Sequence, residues 1–165
     1  MGRVLLTDSQ RPEVEAFVAL GANLGDAMGA LRDALAQLNS LPGTRLVRQS
    51  GLYRTAPWEA SGPDFINAVA QLATRLPAPD LLNALQKLEL AAGRERPYLN
   101  APRTLDLDIL WYGLGRLQSP RLTVPHPRMW QRAFVLVPLA ELAPNRVPPA
   151  ALAAVAGQAI ERVSD

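Results

Sequence analysis

Cysteine is absent from the 165 residues, which excludes disulfides, thiolate metal sites and cysteine nucleophiles together. Histidine occurs once, at His126, too few for a zinc site, so any bound metal is expected to be a hard ion held by carboxylates. Lysine also occurs once, at Lys87, and aromatic residues make up only 5% of the chain. No stretch approaches the ~18 consecutive apolar residues of a membrane-spanning helix. Val4, Leu5 and Leu6 are too short an apolar core for a signal peptide, and Leu6 stands where the N-myristoylation pattern needs Ser or Thr. A cytoplasmic protein is the expectation.

What is present suits one compact domain, with 48% hydrophobic and 19% charged residues and little room for a second enzyme. The net charge of +2 is weak evidence for a nucleic-acid partner, but the basic residues are unevenly placed. Arg94, Arg96, Arg103, Arg116, Arg121, Arg128 and Arg132 fall in a segment with three acids. Arginine keeps its charge and offers a planar fork to phosphate oxygens. A general preference for arginine over lysine explains the overall ratio and leaves the clustering unexplained.

Residues 1–12 read as a loose polar tail, 13–148 as the domain, and 149–165 as a helical extension packed on it, with an alanine-rich helix near 150–162. Val14 to Leu20 reads as a strand ending at Gly21-Ala22-Asn23-Leu24-Gly25-Asp26. Met28, Leu31, Leu35, Leu38 and Leu41 then recur at helical spacing until Pro42-Gly43. Strands are expected over 44–55 and 65–74. A second helix capped by Asp80 carries a buried stripe of Leu81, Leu85, Leu88 and Ala92, and a fourth strand spans 104–112. Strand, helix, strand, strand, helix, strand is the split βαβ pattern of an α+β, ferredoxin-like core. A hairpin-like stretch to Val124 and short, proline-separated helices follow.

The segment Arg103-Thr104-Leu105-Asp106-Leu107-Asp108-Ile109 concentrates the chemistry. On a strand its leucines and isoleucine face one way and Asp106 and Asp108 the other, about 7 Å apart. On an interior strand such a pair needs a cation between the carboxylates or arginines beside them. Magnesium suits the pattern because it accepts one or two carboxylates and completes its shell with water and phosphate oxygens. An exposed, solvated strand face paired with arginine is the alternative. Both G-x-x-x-x-G-K-[ST] and G-x-G-x-x-G are absent, which excludes a P-loop and the dinucleotide fingerprint.

Two further clusters stand out. His126 lies between Pro125 and Pro127, with Arg128 and Arg132 nearby, an arrangement that restrains its backbone and favours phosphate contact over a structural role. Phe65 and Asn67 share a strand face, offering a ring for stacking and an amide for a heterocycle's polar edge; core packing and a turn cap are the plainer reading. Gln86 and Glu89 share one side of the second helix and could face the same cleft or solvent.

Taken together, FVALGANLGD, YRTAPW, DFINAV, QKLELAAGRER, APRTLDLDIL and RLTVPHPRMWQRAFVLVPLAELAP, in that order, resemble the 6-hydroxymethyl-7,8-dihydropterin pyrophosphokinase family over residues 14–145. The resemblance implies an antiparallel sheet in a three-layer α/β/α arrangement, and transfer of diphosphate from ATP to the pterin's hydroxymethyl group with two Mg2+ ions. It places Asp106 and Asp108 on the metals, with Asp106 nearest the attacking hydroxyl, and Arg94, Arg96 and Arg103 around the triphosphate. Gln86, Ile109, Arg121, Thr123, His126 and Arg132 fall to ATP. Thr55, Ala56, Trp58, Phe65, Asn67 and Phe134 fall to the pterin, the two phenylalanines sandwiching its ring. A monomer without nucleic-acid or membrane partners is expected. Leu99-Asn100-Ala101 replaces the family's usual basic residue, Trp and Gly, in a loop one residue shorter, which implies a looser lid or altered ATP affinity, with Tyr98 supplying some stacking. Two competing readings are a ferredoxin-like RNA-binding module and a regulatory domain that binds a small molecule without catalysis.

Overall fold

The computed structural model describes residues 11–57, 62–93 and 105–164. The elements run β1 (Val14–Ala22), α1 (Ala27–Leu38), β2 (Thr44–Gln49), β3 (Leu52–Thr55), β4 (Phe65–Thr74), α2 (Ala78–Gly93), β5 (Asp106–Tyr112), β6 (Leu117–Gln118), β7 (Thr123–Val124), α3 (Ala133–Leu142), α4 (Pro149–Ala154) and β8 (Glu161–Ser164). The main sheet is ordered β5-β1-β4-β3-β8, with β2 also paired to β4, and every pairing in it is antiparallel. Strand, helix and register together make the expected ferredoxin-like core.

Both faces of the sheet are covered. Ala16, Val18, Leu20, Ile66, Ala68, Leu72, Leu107 and Ile109 pack with Leu31, Leu35, Leu81 and Leu85 of α1 and α2. Phe17, Val69, Leu110 and Trp111 pack on the other face with Leu136 and Leu139 of α3. That makes the three layers. A covered rear face also weakens the RNA-binding reading, since modules of that kind stack bases on an open sheet.

Local chemistry explains the boundaries. Asp26 caps α1 by accepting from the Gly29 N–H at 2.9 Å. Helix α2 begins two residues before Asp80, so that carboxylate lies in the first turn and favours the helix N-terminus by charge instead of capping it. Its buried stripe is Leu81 and Leu85, with Leu88 half-buried, but Ala92 is exposed and Gly93 closes the buried face.

Other expectations are corrected. The strand over 44–55 is broken at Ser50 and Gly51. The buried Ser50 hydroxyl accepts from the Val69 N–H at 2.9 Å, and Gly51 N–H donates to the Glu141 carboxylate at 3.2 Å, so the ladder is satisfied by side chains there. The helix expected near 150–162 stops at Ala154, and the chain returns to the sheet as β8, antiparallel to β3. Residues 1–10 lie outside the described structure, but Arg11 is tied down, its Nε donating to the Arg75 carbonyl while Arg75 donates to the Arg11 carbonyl. Finally, β5 is an edge strand of the described sheet, not an interior one.

Candidate active site

The edge position of β5 changes the argument for Asp106 and Asp108. Both side chains are exposed, so desolvation does not force a cation between them; what matters is the space they face. Along β1, Ala19 opposes Asp108 and Gly21 opposes Asp106, while on the far side Gly21 opposes Asn67. A register shift between Phe17 and Val18 leaves Leu110 as an extra residue, which sends both Leu110 and Trp111 to the α3 side. The acidic pair therefore shares a sheet face with Gly21, Asn67 and Phe65.

That face opens into a cavity of about 790 Å³ between the sheet and the start of α3. Thr55, Ala56, Phe65 and Asn67 form one side, Asp106 and Asp108 another, and His126, Arg132 and Phe134 a third. Asn67 is only 3% exposed, and its Nδ2 donates to the Thr55 hydroxyl at 2.8 Å. Glycine at 21 makes room for it: a Cβ there would lie 3.2 Å from Asn67 Oδ1. The Arg132 guanidinium stands 5.4 Å from the Phe134 ring centroid. Rings, a preset amide and a hydroxyl around an apolar slot suit a flat heterocycle with a polar edge.

A second, smaller cavity of about 250 Å³ is lined by Ile109, Arg121, Thr123, Asp108 and His126, among others. Asp108 and His126 thus border both spaces. Arg121 is held by Asn83, whose Oδ1 accepts from Nη2 at 2.6 Å, with Gln86 Oε1 at 3.4 Å. Glu89 turns inward: its Oε2 accepts from the Leu107 N–H at 2.9 Å, tying α2 to β5 between the two aspartates.

His126 is anchored through its backbone, N–H to the Leu110 carbonyl at 3.0 Å. Its Nδ1 accepts from the Arg128 N–H at 3.2 Å, which puts the proton of the neutral ring on Nε2. Burial holds its pKa below the ordinary value; Asp108 opposes that shift, and Arg132 and Arg128 add to it. The neutral ring is therefore a hydrogen-bond donor through Nε2.

The structure brings together Asp106, Asp108, Thr55, Ala56, Phe65, Asn67, Phe134, His126 and Arg132 in the large cavity, and Ile109, Arg121 and Thr123 in the small one, with Gln86 beside Arg121. Trp58, Arg94, Arg96, Arg103 and the segment Tyr98–Ala101 lie outside the described residues. Sequence reasoning missed Asn83, whose contact with Arg121 spans 38 residues, and Gly157, Gln158 and Ala159, which line the large cavity from the far end of the chain. Among the described residues no group of three or more His, Cys, Asp or Glu side chains could hold a metal. Two carboxylates fit an ion that draws its remaining ligands from water and a substrate's oxygens.

A three-layer ferredoxin-like domain whose cavity has an apolar slot beside a paired-carboxylate edge fits a small-molecule-binding class of protein, and comparison with known proteins narrows it. The family model for 7,8-dihydro-6-hydroxymethylpterin-pyrophosphokinase matches residues 17–144. The 2-amino-4-hydroxy-6-hydroxymethyldihydropteridine pyrophosphokinase of Pseudomonas aeruginosa is 49% identical over 154 residues, covering 89% of this chain and 95% of that protein. The protein of the same name from Haemophilus influenzae is 43% identical, covering 82% and 86%. Among solved structures, a Plasmodium falciparum HPPK-DHPS shares the fold with a TM-score of 0.67 at 13% identity, covering 85% of this chain and 44% of that one, so this chain spans less than half of that longer protein. The chain belongs to the 7,8-dihydro-6-hydroxymethylpterin-pyrophosphokinase family.

Proposed function

We propose that the chain transfers diphosphate from ATP to the hydroxymethyl group of 6-hydroxymethyl-7,8-dihydropterin, a step of folate biosynthesis, with Mg2+ held by Asp106 and Asp108. The observation that carries this reading is the meeting of two cavities at Asp108 and His126: a slot fit for a flat bicycle on one side and an arginine-bordered space on the other. The pterin ring stacks between Phe65 and Phe134 while Asn67 and Thr55 read its polar edge. ATP lies against Ile109, Thr123 and Arg121, its polyphosphate reaching His126 and Arg132.

In this reaction the pterin hydroxyl oxygen bonds to the β-phosphorus, the bond from that phosphorus to the α,β-bridging oxygen breaks, and AMP leaves with that oxygen as the hydroxyl gives up its proton. Protein groups contribute alignment and charge more than covalent chemistry. Arg132 and neutral His126 donate to phosphate oxygens, and the apolar slot keeps water from competing with the pterin hydroxyl. Bound magnesium would neutralise polyphosphate charge and acidify the attacking hydroxyl. Arg94, Arg96 and Arg103 are assigned to the triphosphate by their place in the family motif.

The test is product identity. With ATP, Mg2+ and 6-hydroxymethyl-7,8-dihydropterin, AMP forms without ADP, activity disappears on chelation with EDTA, and Asp106→Ala or Asp108→Ala removes it. A wild-type preparation that makes no AMP refutes the reading and leaves the binding-only alternative. A monomer is part of the proposal, checked by light scattering. No described helix is long and apolar enough to cross a membrane; a cytoplasmic location is part of the proposal, which fractionation tests.

A further inference from the structure

We infer that Gln158 is a positioning residue for the pterin slot, pinning the entry to α3 from the C-terminal turn so that Arg132 and Phe134 are presented to the cavity. The inference rests on the reading of that slot given above. Helix α3 opens at Ala133, and Arg132, its N-cap, makes no side-chain capping bond. Such an end leaves backbone N–H groups in need of partners.

Gln158 meets that need from 25 residues away. Its Oε1 accepts from the Ala133 N–H at 2.9 Å, and its Nε2 donates to the Gln131 carbonyl at 2.9 Å. Those two groups belong to the peptide planes on either side of Arg132, so one side chain fixes both planes and with them the extended backbone of Arg132, at φ −127° and ψ 112°. Only a side chain that both donates and accepts can do this; an Asp cap at residue 132 would accept alone.

The turn bearing Gln158 is itself part of the slot. Gly157, Gln158 and Ala159 line the same cavity as Asp106, Asn67 and Phe134. Behind the turn, β8 pairs with β3, the strand that carries Thr55, and Arg162 reaches Glu141 at 3.7 Å while Glu141 accepts from the Tyr53 hydroxyl at 2.7 Å. The C-terminal segment therefore braces the two opposite walls of the slot, the sheet side through β8 and the α3 side through Gln158. It lies beyond the family match, which ends at residue 144.

The test compares Gln158→Met, which keeps the length and loses both bonds, with Gln158→Glu, which keeps acceptance from Ala133 and puts an acceptor against the Gln131 carbonyl. Misplacing a stacking wall is expected to raise the pterin KM about tenfold in Q158M and roughly threefold in Q158E, with a smaller rise in the ATP KM in both, because Arg132 also meets the polyphosphate. Inactivity of the wild type toward the pterin removes the reading of the slot itself. An active wild type whose Q158M and Q158E variants keep the wild-type pterin KM overturns the inference. An equal rise in both KM values, or loss of folded protein in both variants, assigns Gln158 to the fold alone and overturns it as well.

Discussion

Gly21→Ala adds one carbon at the point where β1 separates Asp106 from Asn67, and its effect can be worked out before it is made. The new Cβ would lie 3.2 Å from Asn67 Oδ1, a few tenths of an ångström too close. Asn67 has little freedom to yield, being 3% exposed and bonded to Thr55 at 2.8 Å. On stability, restricting the unfolded chain gains about 0.5–1 kcal/mol. Weakening the Asn67–Thr55 bond loses about 1 kcal/mol. The two nearly cancel, so the melting temperature moves by no more than about 4 °C. Binding has no such offset, because a rotated amide no longer meets the pterin edge, and one misplaced hydrogen bond of about 1.4 kcal/mol is a tenfold change. Steady-state AMP formation, with each substrate varied in turn, is expected to show the pterin KM up about tenfold and the ATP KM unchanged. A pterin KM within twofold of wild type, in protein that melts normally, refutes the reasoning that Asn67 reads the ring.

The remaining predictions address the other parts of the site. Asp106→Asn and Asp108→Asn should each lower kcat on the order of a hundredfold or more, since metal charge stabilisation is worth several kcal/mol. Thermal melts of both should stay within about 1 kcal/mol of wild type because the carboxylates are exposed; a large loss of stability would mark them as structural. Asn83→Ala releases Arg121 and should raise the ATP KM roughly threefold while sparing the pterin KM; equal effects on both substrates would argue against separate cavities. Burial and the Glu141 carboxylate raise the Tyr53 pKa to about 12 from 10.0. Above pH 10 the unfolded chain gives up this proton before the folded one does, so stability falls as pH rises from 10 to 12. Urea melts at pH 9 and 11 check it: Tyr53→Phe should lose less stability than wild type over that interval, and equal losses would count against the assignment.

Periodicity made most of the fold legible. The repeat of Met28, Leu31, Leu35 and Leu38 could only be one face of a helix, and it lies against the sheet as α1. Failures came where a side chain distant in sequence satisfied the backbone. The break at Ser50 and Gly51 is satisfied by Glu141, and within residues 44–55 the Ser-Gly dipeptide is the local sign of it. The C-terminal segment departs from its composition for a related reason: alanine-rich sequence favours a helix, but α4 ends at Ala154 and residues 161–164 complete the sheet beside β3.

The site was legible in proportion to how local its geometry is. Alternation along β5 already places Asp106 and Asp108 on one face, and the same rule joins Phe65 to Asn67, because neighbours two apart on a strand need no knowledge of the rest of the chain. Which face those pairs share depends instead on register: Gly21 must oppose both Asp106 and Asn67 for the acids and the amide to border one cavity. Contacts such as Arg121 with Asn83, or Gln158 with Ala133, are further removed, since they appear only once helices and termini have docked. Substitutions at the local positions should therefore affect chemistry and ring recognition directly. Those at Asn83 and Gln158 should act through the arginine or helix end that each holds, separating ATP from pterin binding in opposite directions.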